Sequence, residues 1–162
     1  MSFPLPPDAL DRDLVFEFFW KFSVFECALK RSGFLKKKKK IAEPDWDDFA
    51  SKIDDQFNAL DSPGFREAVA KIIRLSPRRL MNRELKLKWE PMERELNQTD
   101  AVYVSRLLRN VRNNLFHGGK YPDGQQFEIA RDREILRTAL TILDGYYELH
   151  PGIQCLIREI AA

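Results

Sequence analysis

Residues 100–119 read DAVYVSRLLRNVRNNLFHGG, and the fold class turns on how this stretch is built. Val104, Leu107, Leu108, Val111 and Leu115 recur at helical steps and make a core stripe. Thr99 or Asp100 can cap the start, and Gly118-Gly119 ends the helix through a left-handed cap. The turn signal Tyr121-Pro122-Asp123-Gly124 follows. Away from the stripe lie Arg106, Arg109, Asn113 and His117, at successive steps of three and four. Arg112 stands beside them with a side chain long enough to reach the same cleft, and Asn110 and Asn114 flank them. Solvated helix faces ordinarily mix Glu with Lys or Arg in i,i+4 pairs. A face of Arg, Asn and His with no acid suits an anion instead. Arg grips phosphate with a bidentate fork, Asn donates and accepts, and His titrates near neutrality.

The same helical period extends over most of the chain. Asp8 or Asp11 can cap a first helix that runs to Arg31 or Ser32 and stops at Gly33. Val15, Phe18, Phe19, Phe22, Glu26 and Leu29 follow one face, and Phe16, Trp20, Val24 and Cys27 another. A helix apolar nearly all round is buried on more than one side. It is either the centre of the bundle or partly covered by a second subunit. Asp45 starts a second helix through Leu60, with Trp46, Phe49, Ile53 and Phe57 in register. Ser62-Pro63 opens the next, which Ser76-Pro77 ends. Glu128–Leu149 reads as a long helix, and Pro151 opens a short last one after His150, a helix-boundary residue. No strand-length alternation stands out, and residues 76–99 read as an irregular basic connecting segment. Residues 1–8 read as an extended arm. The expected class is all-α: a single domain over residues 1–162, built as a helical bundle.

Composition agrees with a folded domain. In 162 residues, 44% are hydrophobic and 32% charged, with a net charge of only +2, which is not the balance of a disordered chain. The start, MSFPLPPDALDRDL, lacks a basic and then apolar leader, and no apolar run approaches the ~20 residues of a membrane span. The expectation is a cytoplasmic protein without a membrane partner, with Cys27 and Cys155 reduced and packed between helices. Two Cys and two His without CxxC or HxxxH spacing point to no metal site, and the scattered glycines to no nucleotide cofactor. Trp20, Trp46 and Trp89 read as packing residues, and Tyr146-Tyr147 as divided between core and interface.

The small net charge hides segregation. Glu43, Asp45, Asp47, Asp48, Asp54, Asp55 and Asp61 face only Lys52, while Lys36–Lys40 precede them. Lys71, Arg74, Arg78, Arg79, Arg83, Lys86 and Lys88 follow, opposed by Glu84, and no acid occurs between Asp100 and Asp123. Such clustering can steer a polyanion even on a near-neutral protein. By itself, the lysine run also fits a solvated loop.

RNNLFH, residues 112–117, resembles the Arg-x4-6-His motif of the HEPN superfamily. The likeness extends to FEFFWKFSVFECALKRSGF (16–34), PDWDDFA (44–50), LKW (87–89), VRNNLFHGGK (111–120) and RDREILRTALTIL (131–143). Together these resemble a bacterial, often plasmid-borne, HEPN family over most of the chain. The resemblance implies an all-α bundle that forms a homodimer and joins two Arg–His motifs in one composite cleft. It implies a metal-independent endoribonuclease without cofactor, in a toxin–antitoxin or anti-phage defence setting, with RNA and an antitoxin or regulatory protein as partners. Carried over, Arg112 and His117 are the catalytic pair and Asn113 the supporting polar residue. Glu26 resembles an acidic position that faces the motif. From the helix face and the charge clusters, Asn114 and Arg109 read as further accessory residues, and Arg106, Arg109, Lys120, Arg78 and Arg79 as RNA-binding. Where a related subfamily often has a modifiable tyrosine two residues after the histidine, this chain has Gly119. The alternatives are a non-catalytic RNA- or nucleotide-binding module of the same shape and a structural dimerisation module, in which His117 merely caps its helix.

Overall fold

A computed structural model describes residues 11–116 and 129–162. The expected arm (1–8), His117, the Gly118-Gly119 cap, Lys120 and the turn at 121–124 lie outside the described residues. Among the described residues the chain is predominantly helical, as expected for the all-α class, with one two-stranded hairpin.

The first helix, α1 (Arg12–Arg31), starts where the Asp11 side chain accepts the Leu14 N–H at 3.1 Å. It ends at Ser32, followed by Gly33 at φ +85°, a conformation that glycine takes without a Cβ clash. Leu14, Phe18, Phe22, Phe25, Ala28 and Leu29 are buried, on the face that meets α6 (Ile129–Leu149) and α7 (Pro151–Ala161). Phe16, Phe19 and Trp20 remain 65%, 40% and 50% exposed. Within one chain, α1 is therefore not covered on every side. Trp20 is not a core residue, while Trp46 is almost fully buried.

Asp45 caps α2 (Trp46–Lys52), but the expected single helix to Leu60 breaks at Ile53 and resumes as α3 (Asp54–Ala59). Phe49, Ile53 and Phe57 stay buried through the interruption at Ile53 (φ −95°, ψ 6°), and the bonds from the Ile53 N–H to the Phe49 carbonyl and from the Phe57 N–H to the Ile53 carbonyl carry the helical pattern across it. Phe25, Trp46, Phe49 and Tyr146 then form one aromatic cluster, with Phe25 and Trp46 stacked at 5.2 Å.

Ser62 and Pro63 open α4 (Pro63–Leu75) as read. This helix packs against α6 so closely that a Cβ at Gly145 would lie 2.1 Å from the Phe65 ring. Asp100–Phe116 form α5, and the His150 side chain caps α7 by accepting the Ile153 N–H at 3.2 Å. Tyr146 is in the core, its hydroxyl donating to the Ala101 carbonyl at 2.9 Å, and Tyr147 is half-buried. Cys27 is half-buried, but Cys155 is exposed rather than packed between helices.

The segment 76–99 departs from the expectation of irregular structure. It holds an antiparallel hairpin, β1 (Arg79–Arg83) with β2 (Lys86–Glu90), in which Arg79 faces Glu90 and Arg83 faces Lys86. Lys86–Glu90 does alternate charged and apolar side chains, but over five residues only, and Met81 interrupts the pattern on β1. The turn pair Glu84-Leu85 has positive φ at both positions (52° and 66°) without the Asn-Gly chemistry that marks such turns.

Candidate functional site

The candidate site is built on the face of α5 turned away from the core stripe. Val104, Leu107, Leu108 and Val111 are buried, as read, and Leu115 is partly so. Arg106, Arg109, Arg112 and Asn113 all open into one cleft of about 950 Å³. Lys30 from α1, Lys36 from the lysine run and Arg79 from β1 line the same space. Lys36 and Lys39 of that run also lie 3.6 and 3.4 Å from the Glu43 carboxylate.

Along the chain this face is free of acids; in space it is not. Asp47 on α2 reaches both Arg109 (2.6 Å) and Arg106 (3.2 Å). Glu95 takes a second Arg106 nitrogen. Glu26 on α1 accepts from Arg112 at 3.2 Å and, on the same oxygen, from the Trp46 indole N–H at 3.0 Å. The acidic run read at 43–61 thus supplies one clamp, while Glu26 and Glu95 supply the others. Complementary charge segregation was the sequence signal for Asp47; nothing local pointed to Glu95.

Arg109 Nε and Arg112 Nε are buried, with no hydrogen-bond partner among the described residues. Arg112 also lies over the Phe22 ring, 5.4 Å from its centroid, in cation–π range. Burial pulls the Arg109 pKa below its ordinary value, and the neighbouring Asp47 charge only partly opposes this. For Arg106, burial acts downward, but hydrogen bonds from Glu95 and Asp47 outweigh it and the net shift is upward. Both remain cationic at neutral pH, because a guanidinium starts so far above it.

The two flanking asparagines do something different from what their position on α5 suggested. Asn110 donates to the carbonyls of Pro77 (2.8 Å) and Arg78 (2.9 Å). Asn114 is buried and donates to the Arg78 carbonyl at 2.7 Å. Asn114 is thus not a cleft-lining accessory group: its amide ties the root of the hairpin to α5. The Arg78 side chain is exposed and outside the cleft lining, whereas Arg79 lines it. Of the residues singled out from the sequence, the cleft brings together Arg112, Asn113, Arg109, Arg106, Glu26 and Arg79. His117 and Lys120 lie outside the described residues. No helix among the described residues is long and apolar enough to cross a membrane.

Comparison of the chain with known protein families, characterised proteins and solved structures finds no match.

Proposed function

We propose that this protein is a metal-independent endoribonuclease of the HEPN type, cleaving RNA by attack of the ribose 2′-hydroxyl. The observation that supports the reading is the convergence of Arg106, Arg109, Arg112 and Asn113 on one cleft. Cations held in fixed positions are suited to the charge that develops on a phosphorane. In the proposed reaction His117, which follows Phe116 at the end of α5, moves the protons. It takes one from the 2′-hydroxyl and delivers one to the departing 5′-oxygen, with one copy from each subunit in the two roles. Arg112 neutralises the developing charge and Asn113 orients the imidazole or the phosphate. Glu26 positions Arg112. The products are a 2′,3′-cyclic phosphate and a 5′-hydroxyl.

The composite site requires two chains. Phe16, Phe19, Trp20 and Phe116 form an exposed apolar patch in which Phe19 and Phe116 are in ring contact at 5.3 Å. Exposed apolar clusters of this kind mark association surfaces. A second copy seated there would bring two α5 ends, and hence two Arg112–His117 motifs, into one groove. The biological setting in this reading is toxin–antitoxin or anti-phage defence, with an antitoxin or regulatory protein as a further partner.

A second reading, a non-catalytic module that binds RNA or a nucleotide, draws on the carboxylate clamps: Arg106, Arg109 and Arg112 each already have an acid. The experiment that separates the two is cleavage of RNA by purified protein in EDTA, with analysis of product ends. The expected result is cleavage to cyclic phosphates by the wild type and none by His117→Ala, which keeps its fold. Cleavage retained by His117→Ala rejects the proposed chemistry, and binding without turnover by the wild type selects the second reading.

A further inference from the structure

The hairpin at 79–90 contributes little to the core. Leu85 at its tip is 93% exposed, and most of its residues face solvent. Nevertheless its root is held firmly. Asn110 and Asn114 grip the Pro77 and Arg78 carbonyls just before β1. A two-stranded ribbon is marginal by itself. Here two side chains from α5 fasten its base.

Strand pairing sorts its side chains into two unlike faces. Alternation and register put Arg79, Met81, Arg83, Lys86, Lys88 and Glu90 on one face. Leu80, Asn82, Leu87 and Trp89 are on the other. On the first face Arg83 stands directly opposite Lys86, a like-charge pair that weakens a ladder. The single acid, Glu90, is taken by Arg83 in a two-pronged grip at 2.8 and 2.7 Å. Lys86 and Lys88 have no ion-pair partner among the described residues. Arg79, at the inner end of this face, lines the cleft beside Arg109, Arg112 and Asn113. The basic face therefore begins inside the cleft and runs outward along the ribbon, with same-face residues repeating every ~6.7 Å. That step is comparable to the distance between successive phosphates of an extended ribose-phosphate chain.

We propose that the hairpin is a phosphate-tracking arm, which holds the backbone of the RNA strand as it leaves the cleft. Lys86 and Lys88 are its cations outside any ion pair among the described residues, with Lys88 near enough to Glu90 to feel its charge. The identity of the polyanion as RNA rests on the function proposed above; the arm itself rests on the ribbon's rooting and its one-sided charge. The arm reads no base sequence, because its charged face addresses phosphates only. Its loss should weaken binding uniformly across sequences.

The test measures the affinity of the full chain for a short 2′-O-methyl oligoribonucleotide, which cannot be cleaved, over a range of salt concentrations. Removing one lysine–phosphate pairing lowers the slope of log affinity against log salt by about 0.7 for a single strand. The double variant Lys86→Ala/Lys88→Ala should bind about tenfold more weakly, with the slope reduced by about 1.4. Lys86→Arg/Lys88→Arg should retain both, and thermal unfolding of the alanine variant should not fall, since both lysines are exposed and Lys86 stands opposite Arg83. Unaltered affinity and slope in the alanine variant overturn the arm even if the wild type cleaves RNA. Hairpin-dependent binding by a wild-type protein that cuts nothing supports the arm and rejects the nuclease reading. Polyglutamate binding as tightly as the oligonucleotide, with the same lysine dependence, overturns RNA as the ligand in favour of an acidic protein.

Discussion

Arg112 donates to Glu26 across 3.2 Å, joining residues 86 positions apart in the chain, and Glu26 simultaneously holds the indole N–H of Trp46. One carboxylate thus aligns the proposed catalytic arginine and ties α1 to α2. The guanidinium also lies over the Phe22 ring, 5.4 Å from its centroid. Replacing Glu26 by Gln keeps an acceptor for Trp46 but removes the charge. The expected outcome is a loss of about 1 kcal/mol in stability, read by denaturant unfolding. RNA cleavage should fall more steeply than RNA binding.

Asp47 bridges Arg106 and Arg109, at 3.2 and 2.6 Å, and in the proposed function it competes with a phosphate for them. Asp47→Asn should release both guanidiniums and cost no more than about 1 kcal/mol of stability, because the clamp is partly solvated. Affinity for the non-cleavable oligonucleotide should rise several-fold, and its salt dependence should steepen. An unchanged or weaker affinity would show that the clamp serves to orient the arginines rather than to compete with a ligand.

The apolar patch on α1 gives a prediction independent of chemistry. Phe16→Glu/Trp20→Glu leaves the buried face of α1 untouched. Sedimentation should show a dimer for the wild type and a monomer for the variant, both helical by circular dichroism. If the site is composite, cleavage disappears with the dimer. A variant that remains dimeric would remove this patch from the interface.

Gly145 is required by the approach of α4 to α6. Gly145→Ala places a methyl group against the rigid Phe65 ring, which is itself buried. Overpacking of this kind costs about 1–3 kcal/mol and lowers the melting temperature. Combining it with Phe65→Leu should recover part of the loss.

Burial pushes the Tyr146 phenol well above its ordinary value near 10, with the Arg109 charge opposing and Asp54 adding to the shift. Above pH ~10 the unfolded chain ionises this group while the folded chain does not, so unfolding releases a proton. Tyr146 therefore makes stability fall as pH rises beyond 10, with no such effect at neutral pH. Tyr146→Phe should cost about 1 kcal/mol at pH 7, because the bond to the Ala101 carbonyl is removed. The deficit should shrink and reverse in strong alkali, which unfolding curves across that range would reveal.

The helices were legible in the sequence because their causes are local. Asp11, Asp45, Ser62 and His150 each cap the helix that follows them, through bonds to an N–H three residues on. The cationic side of α5 was legible for the same reason, since helical spacing alone places Arg106, Arg109 and Asn113 away from the core stripe. Two features escaped that reading. The Ile53 break leaves no mark in the sequence, because Phe49, Ile53 and Phe57 keep helical spacing and burial across it. The hairpin has short strands and a turn pair without glycine, and α5 secures it from outside through Asn110 and Asn114.

By itself, then, the sequence determined which segments coil, where most of them stop, and that one helix carries cations without neighbouring acids. Only the tertiary structure decided that those cations are clamped, that Asn114 ties the hairpin root rather than lining the cleft, and that Arg79 joins Arg109 and Arg112. The reason is range. A cap or a helical stripe depends on residues within a turn or two. Asp47 lies 59 and 62 positions from Arg106 and Arg109, and Glu26 lies 86 from Arg112, brought near only when the aromatic core packs.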